Sequence, residues 1–119
     1  MALMTDAALI AARATVLADL DARGCADAEG VSLLEHALSE RRWWVEQWPA
    51  GATYVAGLVA TDVQDALFDR GQRWPLCSTC AALEEHALRV DPELGGPDPV
   101  WVCETSGQAI ARLGALTSN

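Results

Sequence analysis

The chain of 119 residues contains no lysine, only one tyrosine and one phenylalanine, and few aromatic residues other than tryptophan. Its eight basic residues are all arginine and stand against 17 acidic residues, so the formal net charge is −9. Proteins that bind DNA or RNA draw much of their affinity from neutralising phosphates. The charge therefore argues against a nucleic-acid binder and allows a basic protein partner.

The sequence also lacks the pattern of a secretory signal peptide, which has a basic start, an apolar block and a small-residue cleavage site. Asp6 comes early, and Arg13 and Arg23 interrupt the apolar pattern. No apolar run approaches the roughly 18 residues of a membrane span. We therefore expect a cytoplasmic protein without a membrane span. In that compartment, cysteines at C-x-x-C spacing indicate metal or redox chemistry before structural disulfides.

The part of the chain that precedes Gly71 has the periodicity of amphipathic helices, with apolar residues at three- and four-residue spacing. Asp6 is placed to cap the first helix, and Ser32 and Glu35 have the spacing of a capping box for the second. Pro49 stops the second helix. The sequence predicts helices over residues 5–23, 32–48 and 51–69.

After Gly71, prolines and glycines break any helical pattern. The short runs HALRVD and VWVC are typical of strands, and PELGGPDP between them indicates a hairpin loop. The run QAIARLGAL fits a short strand or a helical turn. We therefore predict an α+β fold, with a helical segment (residues 1–71) and a zinc-ribbon-like β-hairpin module (residues 72–119) packed as one compact unit.

The carboxyl-terminal part contains a pattern typical of a structural zinc site, which uses four thiolate or imidazole ligands. Cys77 and Cys80 form a C-x-x-C turn that can aim both sulfurs at one point. His86 opens the first predicted strand and Cys103 closes the second, and antiparallel pairing would bring these two ends together. The sequence predicts a structural Zn²⁺ bound by Cys77, Cys80, His86 and Cys103.

Side chains near the predicted site have expected roles of their own. Trp74 and Trp101 flank the cysteines, so we expect them to wall the metal site and keep water from the thiolates. Cys25 lies in a loop between glycines with no partner in the sequence, and we expect a free thiol. Zinc binding can contribute on the order of 10 kcal/mol to folding. A domain with a core this small would be stabilised by that contribution.

Two classes of enzyme use similar residues. A redox C-x-x-C follows a strand and starts a helix within a βαβ unit, but only helices precede Cys77 here. Zinc deaminases need an H-x-E motif, and both histidines of this chain are followed by Ala-Leu. Glu84 and Glu85 lie near the site, but four protein ligands leave no open position for water. We expect no enzymatic activity and keep redox or zinc-dependent catalysis as the alternative.

The tryptophans of the second helix divide into two groups. Trp44 and Trp48 share one helical face, so we expect them in the core. Trp43 lies off that face beside Arg41 and Arg42. It either covers the seam between the helices and the β module or forms an exposed interaction hot spot.

The carboxyl-terminal part resembles that of small actinobacterial proteins of uncharacterised function. Their pattern is W-P-x-C, a second ligand soon after, a histidine followed by x-Leu, then V-W-x-C and a glycine. The matching segments are Trp74–Cys77, Cys80, His86–Leu88, Val100–Cys103 and Gly107. The similarity extends over residues 33 to 114. It implies a zinc-ribbon-like site, with histidine in some relatives where Cys80 stands, and no particular activity.

These observations predict a non-enzymatic zinc-binding protein that serves as a protein-interaction or adaptor module. The expected partner is a protein rather than a nucleic acid or a membrane, and self-association into a homo-oligomer stays open. A further alternative is an acidic immunity or inhibitor protein that masks a basic target.

Overall fold

The computed structural model describes residues 2–80 and 84–118, with side chains from residue 5 onward. Three helices come first and a small antiparallel sheet follows, which confirms the predicted α+β fold. The elements in chain order are α1 (Ala2–Ala22), α2 (Ala28–Gln47), a 3-10 helix (Pro49–Tyr54), α3 (Val55–Asp69), β1 (Arg89–Asp91), β2 (Val100–Val102) and β3 (Ala109–Arg112). Within the described ranges, no helix is both long and apolar enough to cross a membrane.

The first two helices start earlier than the sequence predicted, and the second is capped by a different residue. Asp27 caps α2, with its side chain accepting a hydrogen bond of 2.8 Å from the Gly30 amide. Ser32 and Glu35 lie inside that helix, so the predicted capping box is wrong. Asp6 lies inside α1 and accepts a hydrogen bond from Arg42 of α2 instead of capping. Ser32 also has an oxygen suited to capping, but Asp27 precedes it and its carboxylate accepts from the helix amide.

The predicted third helix is two elements. Pro49 starts a 3-10 helix that ends at Tyr54, and α3 begins only at Val55. Gly51 of the 3-10 helix is buried so close to Trp44 that an added Cβ would lie 2.6 Å from the indole ring. This close approach holds the connection against α2 and turns the chain into α3.

Each of the three helices packs against the other two, and one face of the sheet completes a shared core. The apolar faces that predicted the helices therefore pack both against the other helices and against the sheet. The largest fully buried apolar side chains are those of Val16, Leu20, Leu34, Val45, Val55, Val59, Val63, Leu67, Trp74, Leu88 and Trp101.

The sheet contains one more strand than the predicted hairpin. β1 pairs with β2 in antiparallel register, with Val90 opposite Trp101, and β2 pairs with β3 on its other edge. The run QAIARLGAL, which fitted a strand or a helical turn, therefore supplies a strand. A register shift beside Trp101 and Val102 interrupts the β2–β3 ladder. It falls just before Cys103, where the chain leaves the sheet.

Asp19 connects α1 to the sheet and to the segment after it. Its carboxylate is buried and accepts hydrogen bonds from Trp101 Nε1 (2.8 Å) and from the amides of Gly114 (2.7 Å) and Leu116 (3.0 Å). The Trp74 indole donates to the Asp19 carbonyl oxygen at 3.4 Å and meets Trp101 edge to face. One buried acidic side chain thus accepts hydrogen bonds from three donors that lie far along the chain.

Candidate metal centre

The structure brings the four candidate ligands together. The ligand atoms of Cys77, Cys80, His86 and Cys103 all lie within 4.8 Å of one another, and this group could hold a metal ion. His86 Nε2 lies 3.3 Å from Cys80 Sγ and 3.4 Å from Cys103 Sγ. In a tetrahedral shell with Zn–S and Zn–N bonds of about 2.3 and 2.0 Å, sulfur and nitrogen are about 3.5 Å apart. The observed separations are close to that value.

A short bridge between two extended segments places His86 beside the first cysteine. Leu76 pairs with Ala87 in antiparallel orientation, and the Cys77 amide donates to the His86 carbonyl oxygen at 2.9 Å. The sequence predicted that His86 opens the first strand, but β1 begins only at Arg89. The bridge to the Cys77 segment, rather than the β1–β2 ladder, sets the position of His86.

Cys103 is held by a tight turn that follows β2. The Gly107 amide donates to the Cys103 carbonyl oxygen at 2.7 Å, and the Ser106 amide lies 3.4 Å from Cys103 Sγ. Gly107 has φ +76°, a left-handed conformation that favours glycine. Hydrogen bonds from Ser106, together with the His86 imidazole, lower the pKa of Cys103 to about 5. The turn therefore prepares a thiolate, the form that binds metals.

A backbone carbonyl orients the His86 ring. His86 Nδ1 lies 3.1 Å from the carbonyl oxygen of Glu84. Because a carbonyl oxygen only accepts, Nδ1 carries the proton of this hydrogen bond, and Nε2 faces the sulfurs. Metal-binding histidines commonly show this arrangement. The Glu84 carbonyl and the Cys103 sulfur raise the pKa of His86 to about 9. Without a metal, an imidazolium would therefore face a thiolate, and a bound cation would displace the proton.

The cysteines of the cluster differ in their exposure to solvent. Cys103 is fully buried, whereas Cys77 and Cys80 are partly exposed. A redox C-x-x-C would start a helix after Cys80. Residues 81–83 lie outside the described ranges, and the chain is not helical from Glu84 onward. Glu84 and Glu85 are exposed, as expected of solvated carboxylates.

The flanking tryptophans belong to the shared core, which includes Cys103 and against which Cys77 and Cys80 pack. Trp74 and Trp101 are buried, and both indole N–H groups point to Asp19. Sequence reasoning missed Asp19 entirely, because an acid in an amphipathic helix normally indicates a solvated position. The only available signal was that Asp19 adjoins Leu20 on the apolar face of α1.

The other sequence-based expectations have mixed outcomes. Trp48 is 49% exposed, so its expected place in the core is wrong, because the helix ends at Gln47 and the ring lies at the surface. Trp43 is 66% exposed and does not cover a seam. Cys25 is a buried free thiol, as expected, and accepts a hydrogen bond of 3.1 Å from Gln72 Nε2. Burial raises the pKa of Cys25.

No curated protein and no solved structure matches this chain. A family model described as a domain of unknown function (DUF8819) matches residues 5–113. The match spans the helices, the sheet and all four residues of the Cys/His cluster. It agrees with the resemblance to small proteins of uncharacterised function. The chain therefore belongs to the DUF8819 family.

Proposed function

We propose that this chain is a non-enzymatic zinc-binding protein in which the zinc is structural and the folded unit serves as a protein-interaction or adaptor module. The observation that carries the proposal is the convergence of three sulfurs and one imidazole nitrogen within 4.8 Å. The ligand types, the ligand number and the exposed surface support the metal, its structural role and the kind of partner, respectively.

The ligand types favour zinc. Calcium and magnesium prefer oxygen ligands, whereas three thiolates and one imidazole form one of the usual sets for structural zinc. The sulfur–nitrogen separations of 3.3 and 3.4 Å agree with a tetrahedral shell. Three thiolates around a divalent cation leave one net negative charge, which the Ser106 amide hydrogen bond to Cys103 Sγ would help to stabilise.

The ligand number favours a structural role. Catalytic zinc sites commonly keep three protein ligands and leave the fourth position to water. Here four protein ligands would fill the shell. They come from three separate segments, the turn at Cys77 and Cys80, the bridge at His86 and the turn at Cys103. These segments border strands of only three or four residues, so a metal would stabilise a sheet that has few ladder hydrogen bonds.

The surface favours a protein partner. Several large apolar side chains remain exposed, among them Trp43, Trp48 and Leu94. Tryptophan is enriched in protein interfaces and in their hot spots. The net charge of −9 disfavours nucleic acid and anionic membranes and favours a basic partner in the cytoplasm.

Metal analysis of the purified chain tests the zinc assignment. We expect about one zinc per chain, held by four protein ligands. Cys103→Ser should lower the zinc content and the thermal stability together, because it removes a buried ligand. Cys25→Ser is the matched control, since Cys25 is also buried but lies outside the cluster. It should keep the zinc content of the unchanged chain. A folded, metal-free protein would refute the structural zinc.

The same variants separate the enzyme alternatives. A redox pair formed by Cys77 and Cys80 would tolerate Cys103→Ser and would reduce disulfide substrates, an activity that we expect to be absent. A catalytic zinc would show three protein ligands and a bound water in a metal-edge absorption spectrum. The partner is tested separately, by affinity capture from the native host. Recovery of a basic enzyme whose activity the chain blocks would favour the inhibitor alternative instead.

A further inference from the structure

A surface groove of about 420 Å³ lies where the end of α2 meets the 3-10 helix, α3 and the loop between β1 and β2. None of its lining residues belongs to the Cys/His cluster. Most of its lining is aromatic or aliphatic. The lining residues are Arg41, Trp44, Trp48, Tyr54, Leu58 and Leu94.

The aromatic rings of the groove support one another. Trp48 stacks on Tyr54, with ring centroids 5.8 Å apart and an interplanar angle of 15°. Trp48 also meets Trp44 edge to face at 5.2 Å and 89°. Trp48 nevertheless remains 49% exposed. A partner would therefore meet a ring whose orientation is already set, so binding would cost little side-chain entropy.

The opposite wall is also fixed in place. Leu94 is 70% exposed, although the glycine that follows it is buried. A Cβ added to Gly57 would lie 2.7 Å from Gly95 Cα, and one added to Gly95 would lie 2.7 Å from the Tyr54 carbonyl oxygen. The two backbones touch without side chains between them. This contact seats the β1–β2 loop on α3 and holds Leu94 at the edge of the groove.

The groove continues into a row of carboxylates on α3. Arg41 lies between the two regions, and Asp62 accepts both of its hydrogen bonds, of 2.7 and 2.9 Å, which neutralises the arginine. Asp65 and Asp69 are exposed, and within residues 2–80 and 84–118 no cation pairs with either of them. One face of α3 carries a groove residue and three acids at successive spacings of four, three and four residues. These residues are Leu58, Asp62, Asp65 and Asp69. We call these three acids the acidic stripe.

We propose that the groove and the acidic stripe together bind a basic segment of a partner protein. A large apolar side chain of that segment would lie between Trp48 and Leu94, and its arginine or lysine side chains would pair with Asp65 and Asp69. This inference rests on the proposed role as a protein-interaction module and adds the surface and the chemistry of the partner.

Charge selects this occupant over the others. A second copy of the chain also carries a net charge of −9 and would be repelled by the acidic stripe. An anionic membrane would be repelled in the same way. A neutral proline-rich peptide could stack on the tryptophans but would leave the carboxylates unused. Partial burial raises the pKa of Asp65, and repulsion from the neighbouring carboxylates of Asp62 and Asp69 raises it further. A partner cation beside Asp65 would therefore also relieve this repulsion.

Peptide selection on the full chain tests the proposal. Random dodecapeptides displayed on phage would be selected against the immobilised protein, and the enriched peptides synthesised and titrated. We expect the enriched sequences to combine arginine or lysine with tryptophan, phenylalanine or leucine, and their affinity to fall as salt rises. Enrichment of neutral or acidic sequences, or no enrichment, would overturn the proposal.

Matched variants then locate the binding site. Trp48→Ala should weaken binding by about tenfold or more, as expected for an interface hot spot. Trp43→Ala is the matched control, because Trp43 is also an exposed tryptophan of α2 but does not line the groove. It should leave the affinity unchanged. Equal losses in both variants would place the site elsewhere. Leu94→Ala provides a second test that does not depend on aromatic packing or charge, and since Leu94 is mostly exposed, the change should weaken binding without disturbing the fold.

The acidic stripe is tested by Asp65→Asn combined with Asp69→Asn, which should weaken binding and flatten its salt dependence. Zinc content is measured on every sample. If every variant has a normal zinc content and the groove variants bind the peptides as tightly as the unchanged chain, this inference is overturned and the zinc assignment stands. If a metal-free chain binds the peptides and the groove variants weaken that binding, the zinc assignment is overturned and this inference stands.

Discussion

Replacement of Asp19 by asparagine should destabilise the protein, because three hydrogen bonds converge on its carboxylate. The substitution exchanges one carboxylate oxygen for an NH₂ group of nearly the same size. Oδ2 accepts hydrogen bonds from Trp101 and Gly114, and Oδ1 accepts one from Leu116. Whichever way the amide is oriented, its NH₂ group faces at least one N–H donor at hydrogen-bond distance.

The magnitude follows from those three bonds. In the better orientation the amide keeps the bonds to Trp101 and Gly114 and loses the 3.0 Å bond to Leu116. A hydrogen bond to a charged group contributes about 1.5–3 kcal/mol, and the two remaining bonds become weaker neutral ones. The lower cost of burying an amide than a carboxylate offsets part of the loss. We expect a net loss of about 2 kcal/mol, or about 8 °C in the melting temperature of a domain this size.

Urea unfolding followed by tryptophan fluorescence measures this loss, because Trp74 and Trp101 both report on the site. Asp21→Asn is the control, since Asp21 lies on the same helix and is exposed. It should change the free energy of unfolding by less than about 0.5 kcal/mol. If Asp19→Asn has an equally small effect, the buried carboxylate does not connect α1 to the sheet as the hydrogen bonds indicate.

Two further predictions concern metal affinity and backbone contact. Between pH 5 and 9 the metal-free His86–Cys103 pair keeps one proton that a metal must displace, since their pKa values are about 9 and about 5. Metal affinity, measured by chelator competition, should therefore rise with pH through this window and fall more steeply below pH 5, where Cys103 is also protonated; an affinity independent of pH would contradict this. Gly57→Ala should lose about 1–3 kcal/mol in urea unfolding, because its Cβ would lie 2.7 Å from Gly95 Cα, despite the better helix propensity of alanine. A stabilised Gly57→Ala variant would show that the β1–β2 loop does not rest on α3.

Features that depend on local pattern were predictable from the sequence. Apolar periodicity indicated three helices, and the C-x-x-C turn with His86 and Cys103 indicated the residues that the structure brings together. Their role as zinc ligands stays a prediction. The helix starts were less predictable, because Ser32 and Asp27 both offer a capping oxygen and only the backbone geometry selects Asp27.

Features that depend on distant contacts were not predictable. Nothing near Asp19 in the sequence indicates that its hydrogen-bond donors lie 82 to 97 residues away. The exposure of Trp48 follows from the end of α2 at Gln47 and from the turn that the 3-10 helix imposes, not from helical periodicity. The Gly57–Gly95 contact likewise joins two elements whose proximity no local pattern records.

The contacts of Asp19 also set an order of events during synthesis. Ribosomes add about 5–20 residues per second, so α1 is complete seconds before Gly114 and Leu116 exist. Until then its carboxylate must stay hydrated, because the donors that replace water lie up to 97 residues further along. The nascent helices can associate early, but they cannot bury that face of α1 without leaving a charge unpaired. The core can therefore be completed only after the segment with Gly114 and Leu116 has been synthesised.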